Sequence, residues 1–325
     1  MKKIIKANFW YFISIIIIYI LLNVKLPYYI NMPGGTIETN KRIKCSNCNE
    51  INGSINLLYV SESEATAQSF LMSYLMPNWD LEPMKEQQIN DESMNDIYIR
   101  NKLMLEESID AAIINAYQES NKQIAITNKK NIVLVTTNTN NNLKVGDEIL
   151  EVDNKEVENI AELKKIINEK KVGDKIKIRL KRNKKEKNVT VKVREENGEK
   201  IIGIIVMTDY NYKLDPQIEL SFKPGESGAS GGLMLALSIY SKISDKDIIK
   251  GRKIAGTGTI DSNGNIGEID GIKYKIMGAN KEKIDIVLVP KENYKEAIKI
   301  KEKNHYKMKI IKVETFKEAV EYLKK

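Results

Sequence analysis

The sequence holds 325 residues, of which 52 are lysine or arginine and 44 are aspartate or glutamate, giving a formal net charge of +8. The length exceeds that of one typical domain, and the basic residues are spread along the chain, so nucleic-acid binding is not the first inference. One histidine and two cysteines make a poor ligand set for zinc. We expect no metal and no cofactor. The sequence also contains no G-x-x-x-x-G-K-[ST] run, so it predicts no P-loop ATPase site.

An apolar segment follows the first lysines. Residues 9–22 read FWYFISIIIIYILL, aromatic residues lie at both ends, and no small-residue cleavage site comes after them. We predict a cytoplasmic N-terminus over residues 1–6 and a single-pass transmembrane anchor over residues 7–26, with the catalytic part outside the cytoplasm. A signal-peptide core and a buried soluble helix are the alternatives.

Residues 27–122 give mixed signals for strands and helices, and we predict an extracytoplasmic juxtamembrane region with helices there. Cys45 and Cys48 lie in a polar loop of this region. Outside the cytoplasm they could form a small disulfide, and free thiols are the alternative. A redox role for the C-x-x-C spacing lacks the βαβ context that it needs.

Residues 123–197 have the pattern of a compact β-rich module. Ile176, Ile178 and Leu180 alternate with charged residues, which is typical of half-buried strands. The run LKVGDEILEVDNKEVENIAELKKII (143–167) resembles PDZ domains, which bind extended peptides by strand addition. No clear glycine-containing carboxylate loop precedes Ile132. We therefore expect peptide binding in a groove, and capture of a free C-terminus stays open.

Ser230 is the candidate nucleophile. It lies among small residues in KPGESGASGG (223–232), directly before an apolar run of helical length. Unpaired N–H groups at a helix start favour negative charge, as in an oxyanion site. A glycine-rich turn before a core helix is the simplest alternative. Read as G-x-S-x-G, the stretch also fits a nucleophile elbow with His305 as base, but His305 lies in a charged string that we expect to face solvent.

A lysine is the other candidate base, because burial can lower its pKa and leave a neutral amine. Lys273 has apolar and small neighbours in the sequence, among them Ile269, Ile272 and Ile276. Lys275 lies two positions on, so on a helix it would face elsewhere. A surface lysine at a helix start is the alternative for Lys273.

Two motifs now resemble a known family. The first is G-A-S-G-G (228–232) after a proline-glycine loop, and the second is T-G-T-I-D-x-x-G-x-I-G-x-I-x-G-I-K (257–273). Together these two segments resemble the proteolytic domain of Lon-type Ser-Lys proteases. The resemblance implies that Ser230 is the nucleophile, that Lys273 is its base and that Thr257 orients the amine. With the anchor and the PDZ-like module, the order of parts resembles the YlbL/SepM-like membrane-anchored proteases of Gram-positive bacteria.

We therefore predict an α+β multidomain protein with an N-terminal transmembrane helix, a PDZ-like β-rich module and a Lon-type proteolytic α+β domain over residues 198–325. The predicted function is ATP-independent, membrane-anchored serine endopeptidase activity on extracytoplasmic peptides or proteins. The expected partners are an extended substrate and the membrane, without nucleic acid, and homo-oligomerisation stays open. Because Ala229 and Gly231 depart from the family pattern, an anchored PDZ-type adaptor with an inactive peptidase-like domain is the alternative.

Overall fold

The computed structural model describes residues 8–46, 48–90, 92–137 and 142–325. The predicted cytoplasmic N-terminus, residues 1–6, lies outside the described residues. Short 3-10 helices cover Thr39–Arg42 and Met84–Gln87. The α-helices are α1 (Phe9–Asn23), α2 (Ala67–Ser73), α3 (Met94–Glu119), α4 (Ile160–Asn168), α5 (Gly232–Ile243), α6 (Ile272–Lys281), α7 (Lys291–Lys303) and α8 (Phe316–Lys324).

The strands form two six-stranded sheets and three small two-stranded pairings among the described residues. In chain order they are β1 (Lys25–Glu38), β2 (Ile43–Cys45), β3 (Ser54–Thr66), β4 (Asp80–Pro83), β5 (Gln123–Thr136), β6 (Glu148–Val152), β7 (Lys155–Glu156), β8 (Lys175–Arg182), β9 (Lys185–Lys192), β10 (Arg194–Glu196), β11 (Glu199–Ile201), β12 (Ile204–Asp215), β13 (Ile218–Leu220), β14 (Lys253–Gly256), β15 (Thr259–Ile260), β16 (Ile266–Gly267), β17 (Ile286–Pro290) and β18 (Lys309–Val313).

The first large sheet has the order β18-β17-β14-β3-β1-β4 and is covered on both faces. The pairings from β18 to β3 are parallel, and β1 pairs antiparallel with β3 and β4. Leu288 of β17 packs into the core formed with α3, α5 and α8. Its neighbours Val287 and Val289 point to the opposite face, where α6 and α7 pack. This alternation explains why the whole strand is apolar, since parallel strands are buried on both sides.

The sheet corrects the predicted domain boundaries. We expected residues 27–122 to form a region separate from the proteolytic domain. Instead, β1, β3 and β4 belong to the same sheet as β14, β17 and β18, and β3 pairs directly with β14. The predicted boundary at residue 198 falls inside the β10–β11 hairpin. The first difference arises because strand pairing joins segments about 200 residues apart, which local sequence patterns do not reveal.

The second large sheet, β12-β5-β6-β8-β9, lies in the chain between α3 and β13. Ile176, Ile178 and Leu180 are fully buried in its core together with Leu163 and Ile167 of α4. The predicted β-rich module therefore has the expected alternation. Strand β12 pairs with β5 along its whole length, so the two strands form a ribbon that extends from the module to the rest of the molecule.

The N-terminal apolar segment forms α1, which is 15 residues long and has no buried residue. Among the described residues, no helix is both long enough and apolar enough to cross a membrane. The predicted transmembrane helix is therefore not found as such. Helix α1 ends at Asn23, and β1 begins two residues later at Lys25.

Candidate active site

Ser230 lies in the wall of a cavity of about 960 Å³. Other parts of the lining come from β3, from the end of β1 and the segment after it, from the loop before Ser230, and from Leu105 of α3. The buried lysine in the lining is Lys275 of α6, and Lys273 does not contribute. The cavity thus brings together the predicted nucleophile and a lysine that was not the predicted base.

The loop before α5 positions Ser230 directly next to the helix start, since Gly231 is the N-cap. The Ser230 carbonyl accepts a hydrogen bond from the Gly258 N–H (2.9 Å) and one from the Thr257 hydroxyl (3.1 Å). Gly232 allows a close approach behind the loop, because a Cβ there would lie 2.5 Å from Ile260 Cγ2. The serine is therefore held by its backbone carbonyl, and the residue forms part of the cavity lining.

The start of α5 also offers free donors. Among the hydrogen bonds of the described residues, the backbone N–H groups of Ala229, Ser230 and Gly231 do not appear as donors. These amides lie at the N-terminal end of a helix, where the dipole favours negative charge. The arrangement suits an oxygen that becomes negative during a reaction.

Lys275 is the buried amine of the site. Its side chain lies in an apolar environment and only 3% of the residue is exposed. Burial lowers the pKa of Lys275 to about 8, and the charge of Asp270 opposes this shift. The ammonium or amine nitrogen, Nζ, donates a hydrogen bond to Thr257 Oγ1 at 3.1 Å. Thr257 is itself fully buried. Because its hydroxyl also donates a hydrogen bond to the Ser230 carbonyl, it links Lys275 to the Ser230 backbone.

The structure corrects the position predicted for Lys273. Its side chain is 37% exposed and pairs with Asp80 of β4 at 2.5 Å. Asp80 also accepts a hydrogen bond from the Tyr274 hydroxyl at 2.5 Å. Residues two apart on a helix differ by about 200° in direction, so only one of the two lysines can face Ser230. The apolar neighbours of Lys273 in the sequence lie on the other face of α6.

The periodicity of α6 contains the signal that identifies Lys275. Ile272, Ile276 and Ala279 are buried on one face, and Lys275 lies three residues after the first of them and four before the last. Positions i, i+3 and i+7 share a helix face. The resemblance implies that Thr257 contacts the amine of Lys273. In the structure Thr257 contacts a lysine amine, but that lysine is Lys275.

The remaining sequence candidates lie apart from this cavity. His305 is exposed just beyond the end of α7 and has a φ of 56°. It is not part of the cavity lining. Cys45 and Cys48 are joined as a disulfide at the end of β2. Neither feature brings a further group to Ser230.

Two family models match parts of the chain. The C-terminal proteolytic domain of Lon protease (S16) matches residues 223–324, and the PDZ domain matches residues 115–193. The chain therefore carries a Lon-type proteolytic domain and a PDZ domain. Ser230, Thr257 and Lys275 all lie within the first match.

Individual relatives cover limited segments. The Lon protease of Campylobacter jejuni is 36% identical over 98 residues, which is 30% of this chain and 12% of the relative. The Lon protease of Aster yellows witches'-broom phytoplasma is 39% identical over 88 residues, or 27% of this chain and 11% of the relative. The chain thus spans only a small part of these proteins. The PDZ domain of an SdrC-like protein from Listeria monocytogenes is 27% identical, covering 25% of this chain and 92% of that chain with a TM-score of 0.23.

Proposed function

We propose that the protein is a serine endopeptidase in which Ser230 is the nucleophile and Lys275, rather than Lys273, is the general base. The observation that carries the proposal is the buried Lys275, which lines the same cavity as Ser230 and reaches it through Thr257. The Lon homology supports a serine peptidase. In this proposal Thr257 holds the amine in place.

The lowered pKa makes the base chemically available. At pH 7 a lysine with a pKa of about 8 is neutral in roughly one molecule in ten, whereas one with an ordinary pKa is neutral in roughly one in 3,000. A neutral amine accepts the proton of a serine hydroxyl, and an ammonium group cannot. Burial of Lys275 therefore supplies about two to three orders of magnitude more active base at neutral pH.

The proposed reaction follows from these positions. The Ser230 Oγ forms a bond to the carbonyl carbon of a peptide while Lys275 takes the hydroxyl proton. The carbonyl oxygen becomes negative and is stabilised by the free amides at the start of α5. The C–N bond then breaks, and Lys275 gives its proton to the leaving amine. A water molecule, deprotonated by Lys275, attacks the acyl carbon. The bond between that carbon and Ser230 Oγ breaks, Lys275 returns the proton to Oγ, and the acid product leaves.

A cleavage assay with two matched lysine variants tests this proposal. Purified full chain is incubated with an unfolded protein such as casein, without ATP, and new N-termini are counted by mass spectrometry. We expect Ser230→Ala and Lys275→Ala to abolish cleavage and Lys273→Ala to retain it. Loss of cleavage in Lys273→Ala alone would return the role of base to Lys273. No cleavage by the unmodified chain would favour the adaptor function.

The PDZ domain supports a role in substrate capture. Strand β12 is at the edge of its sheet in the described part of the chain, and α4 packs beside it. An extended peptide can add to such an edge. In the proposal, this edge binds extended substrates near the cavity. A photo-crosslinking residue at position 205, which is 50% exposed, is expected to capture substrate, and one at Lys187 is the control that should not.

Helix α1 supports association with a membrane and action outside the cytoplasm. It is apolar on all faces, and Ile16 and Ile17 are 57% and 50% exposed. A helix that is apolar all round needs an apolar environment. The Cys45–Cys48 disulfide fits an oxidising compartment. We expect the double change Ile16→Lys and Ile17→Lys to release the chain from membranes on flotation, whereas Val172→Lys, at another exposed apolar site, should not. Retention of the double variant would contradict the anchoring role.

A further inference from the structure

Helix α3 contacts the loop that carries Ser230 at two points. The Asn101 carbonyl accepts a hydrogen bond from the Gly228 N–H at 3.0 Å. Seven residues further on, the Ser108 hydroxyl donates to the Ala229 carbonyl at 3.1 Å. Ser108 is 2% exposed, so water does not compete for this bond. Together the two contacts hold the Ser227–Gly228 and Ala229–Ser230 peptide groups of the loop that leads to Ser230.

The same helix also contacts the β5–β12 ribbon of the PDZ domain. The Asp110 carboxylate accepts a hydrogen bond from the Tyr210 N–H at 3.0 Å and another from the Tyr212 hydroxyl. About two turns earlier along α3 than Asp110, Leu103 packs against Met207 of β12 and Val145. Helix α3 is therefore held against the strand whose edge we propose as the peptide-binding edge.

Asp110 makes this contact at an energetic cost. It is 8% exposed and forms no ion pair among the described residues, and the charges of Asp209 and Glu106 are nearby. Burial, the main cause, raises its pKa to about 7 despite the two hydrogen bonds from the ribbon. At a purely structural position, an apolar residue could be buried at a lower cost in free energy. The carboxylate instead gives the ribbon a directed attachment to one point on α3.

Ser108 and Asp110 are two residues apart, so they point to opposite sides of α3. Most of α3 from Ser108 to Tyr117 is buried, and a continuous helix moves as a unit more readily than it bends. A shift of the ribbon at Asp110 is then transmitted to the Ala229 carbonyl through Ser108. The distance along the helix between the two attachments is only about 3 Å.

We propose that the PDZ domain sets the placement of Ser230 through helix α3, with Asp110 and Ser108 as positioning residues on its two sides. The inference rests on the proposed function, and it concerns regulation of the same site. In this account, the Tyr212 hydroxyl affects the position of Ser230 through Asp110 and helix α3, although it does not contact Ser230. Occupation of the β12 edge by a peptide would move the ribbon and so change the reactivity of Ser230.

A double-mutant cycle on the full chain tests the proposal. Its readout is the rate of Ser230 labelling by a fluorophosphonate probe, measured over a range of probe concentrations. Tyr212→Phe removes the hydroxyl bound to Asp110, and Ser108→Ala removes the hydroxyl bound to the loop. We expect each to lower the saturated rate about 3- to 10-fold with an unchanged half-saturating concentration. The double variant should fall no further than the stronger single variant, because both act in one chain of contacts.

Two controls separate this role from general stability. Tyr210→Phe keeps the backbone N–H that binds Asp110 and should label like the unmodified chain. Ile178→Val weakens the PDZ core, where Ile178 is fully buried, by about 1 kcal/mol without touching α3, and it should also keep the rate. A normal rate in Tyr212→Phe, or fold-changes that multiply in the double variant, would overturn the proposal. If the unmodified chain is not labelled while it remains folded, the proposed function itself fails instead.

Discussion

Replacing Lys275 by methionine should stabilise the protein while abolishing its activity. Methionine has a similar length and fits the apolar surroundings, but it carries no charge. In the folded protein the pKa of Lys275 falls from 10.5 to about 8. A difference of roughly 2.5 units corresponds to about 3 kcal/mol, which is the cost of burying the charged amine. Loss of the hydrogen bond to Thr257 offsets about 1 kcal/mol of this gain. The expected net stabilisation is about 2 kcal/mol.

The stability difference between Lys275→Met and the unmodified chain should depend on pH. Below pH 8 the lysine is protonated in both the folded and the unfolded states, so the full cost is present. Between pH 8 and 10.5 the folded state has lost the proton while the unfolded state keeps it, and the stability of the unmodified chain rises with pH. The advantage of Lys275→Met should therefore be largest below pH 8 and shrink above it.

Urea denaturation followed by circular dichroism at pH 7 and pH 9.5 measures this effect. Lys273→Met is the matched control, since its exposed ion pair with Asp80 is worth less than about 1 kcal/mol. That control should change stability little at either pH. Equal or lower stability of Lys275→Met at pH 7 would refute the reasoning that the amine is buried at a cost.

Three further predictions concern the surroundings of the site. Thr257→Val keeps the shape of the side chain but removes the hydroxyl that contacts Lys275 and the Ser230 carbonyl. We expect casein cleavage to slow about 10-fold or more and the free energy of unfolding to fall by about 1–3 kcal/mol. Gly232→Ala places a Cβ 2.5 Å from Ile260, so it should lower the free energy of unfolding by about 1–3 kcal/mol and reduce Ser230 labelling; normal values of both would contradict the close packing. Asp110→Asn removes a carboxyl whose pKa is raised to about 7. The folded form of the unmodified chain holds this proton between about pH 4 and 7, so its stability falls as pH rises in that range, and the advantage of Asp110→Asn in urea denaturation should grow by up to about 1.4 kcal/mol per pH unit. A constant difference across that range would show that Asp110 does not titrate this way.

The sequence was informative where the signal is local. The apolar run after Ser230 predicts a buried helix, and α5 is that helix. The period-two alternation around Ile178 predicts the strands of the PDZ domain. Both patterns depend only on neighbouring residues, which is why they can be read without a structure.

The general base was misassigned although a local pattern identifies it. Lys273 was chosen by counting apolar neighbours along the chain, whereas burial depends on the helix face, and Lys275 lies on the buried face of α6. Other features depend on long-range contacts and could not be predicted from local patterns. The contribution of β3 to the sheet of β14 depends on a pairing between Ile55 and Ile254. Contacts over such a separation leave no periodic signal in either segment. The contact of Asp110 with Tyr212 was missed for the same reason.

The identity of the general base is the central claim, and the pH profile of Ser230 labelling tests it most directly. The rate constant for fluorophosphonate labelling should rise with pH and level off above about pH 8 in the unmodified chain and in Lys273→Met. In Lys275→Met the rate should be low at every pH. A profile that persists in Lys275→Met, or that disappears in Lys273→Met, would contradict the account.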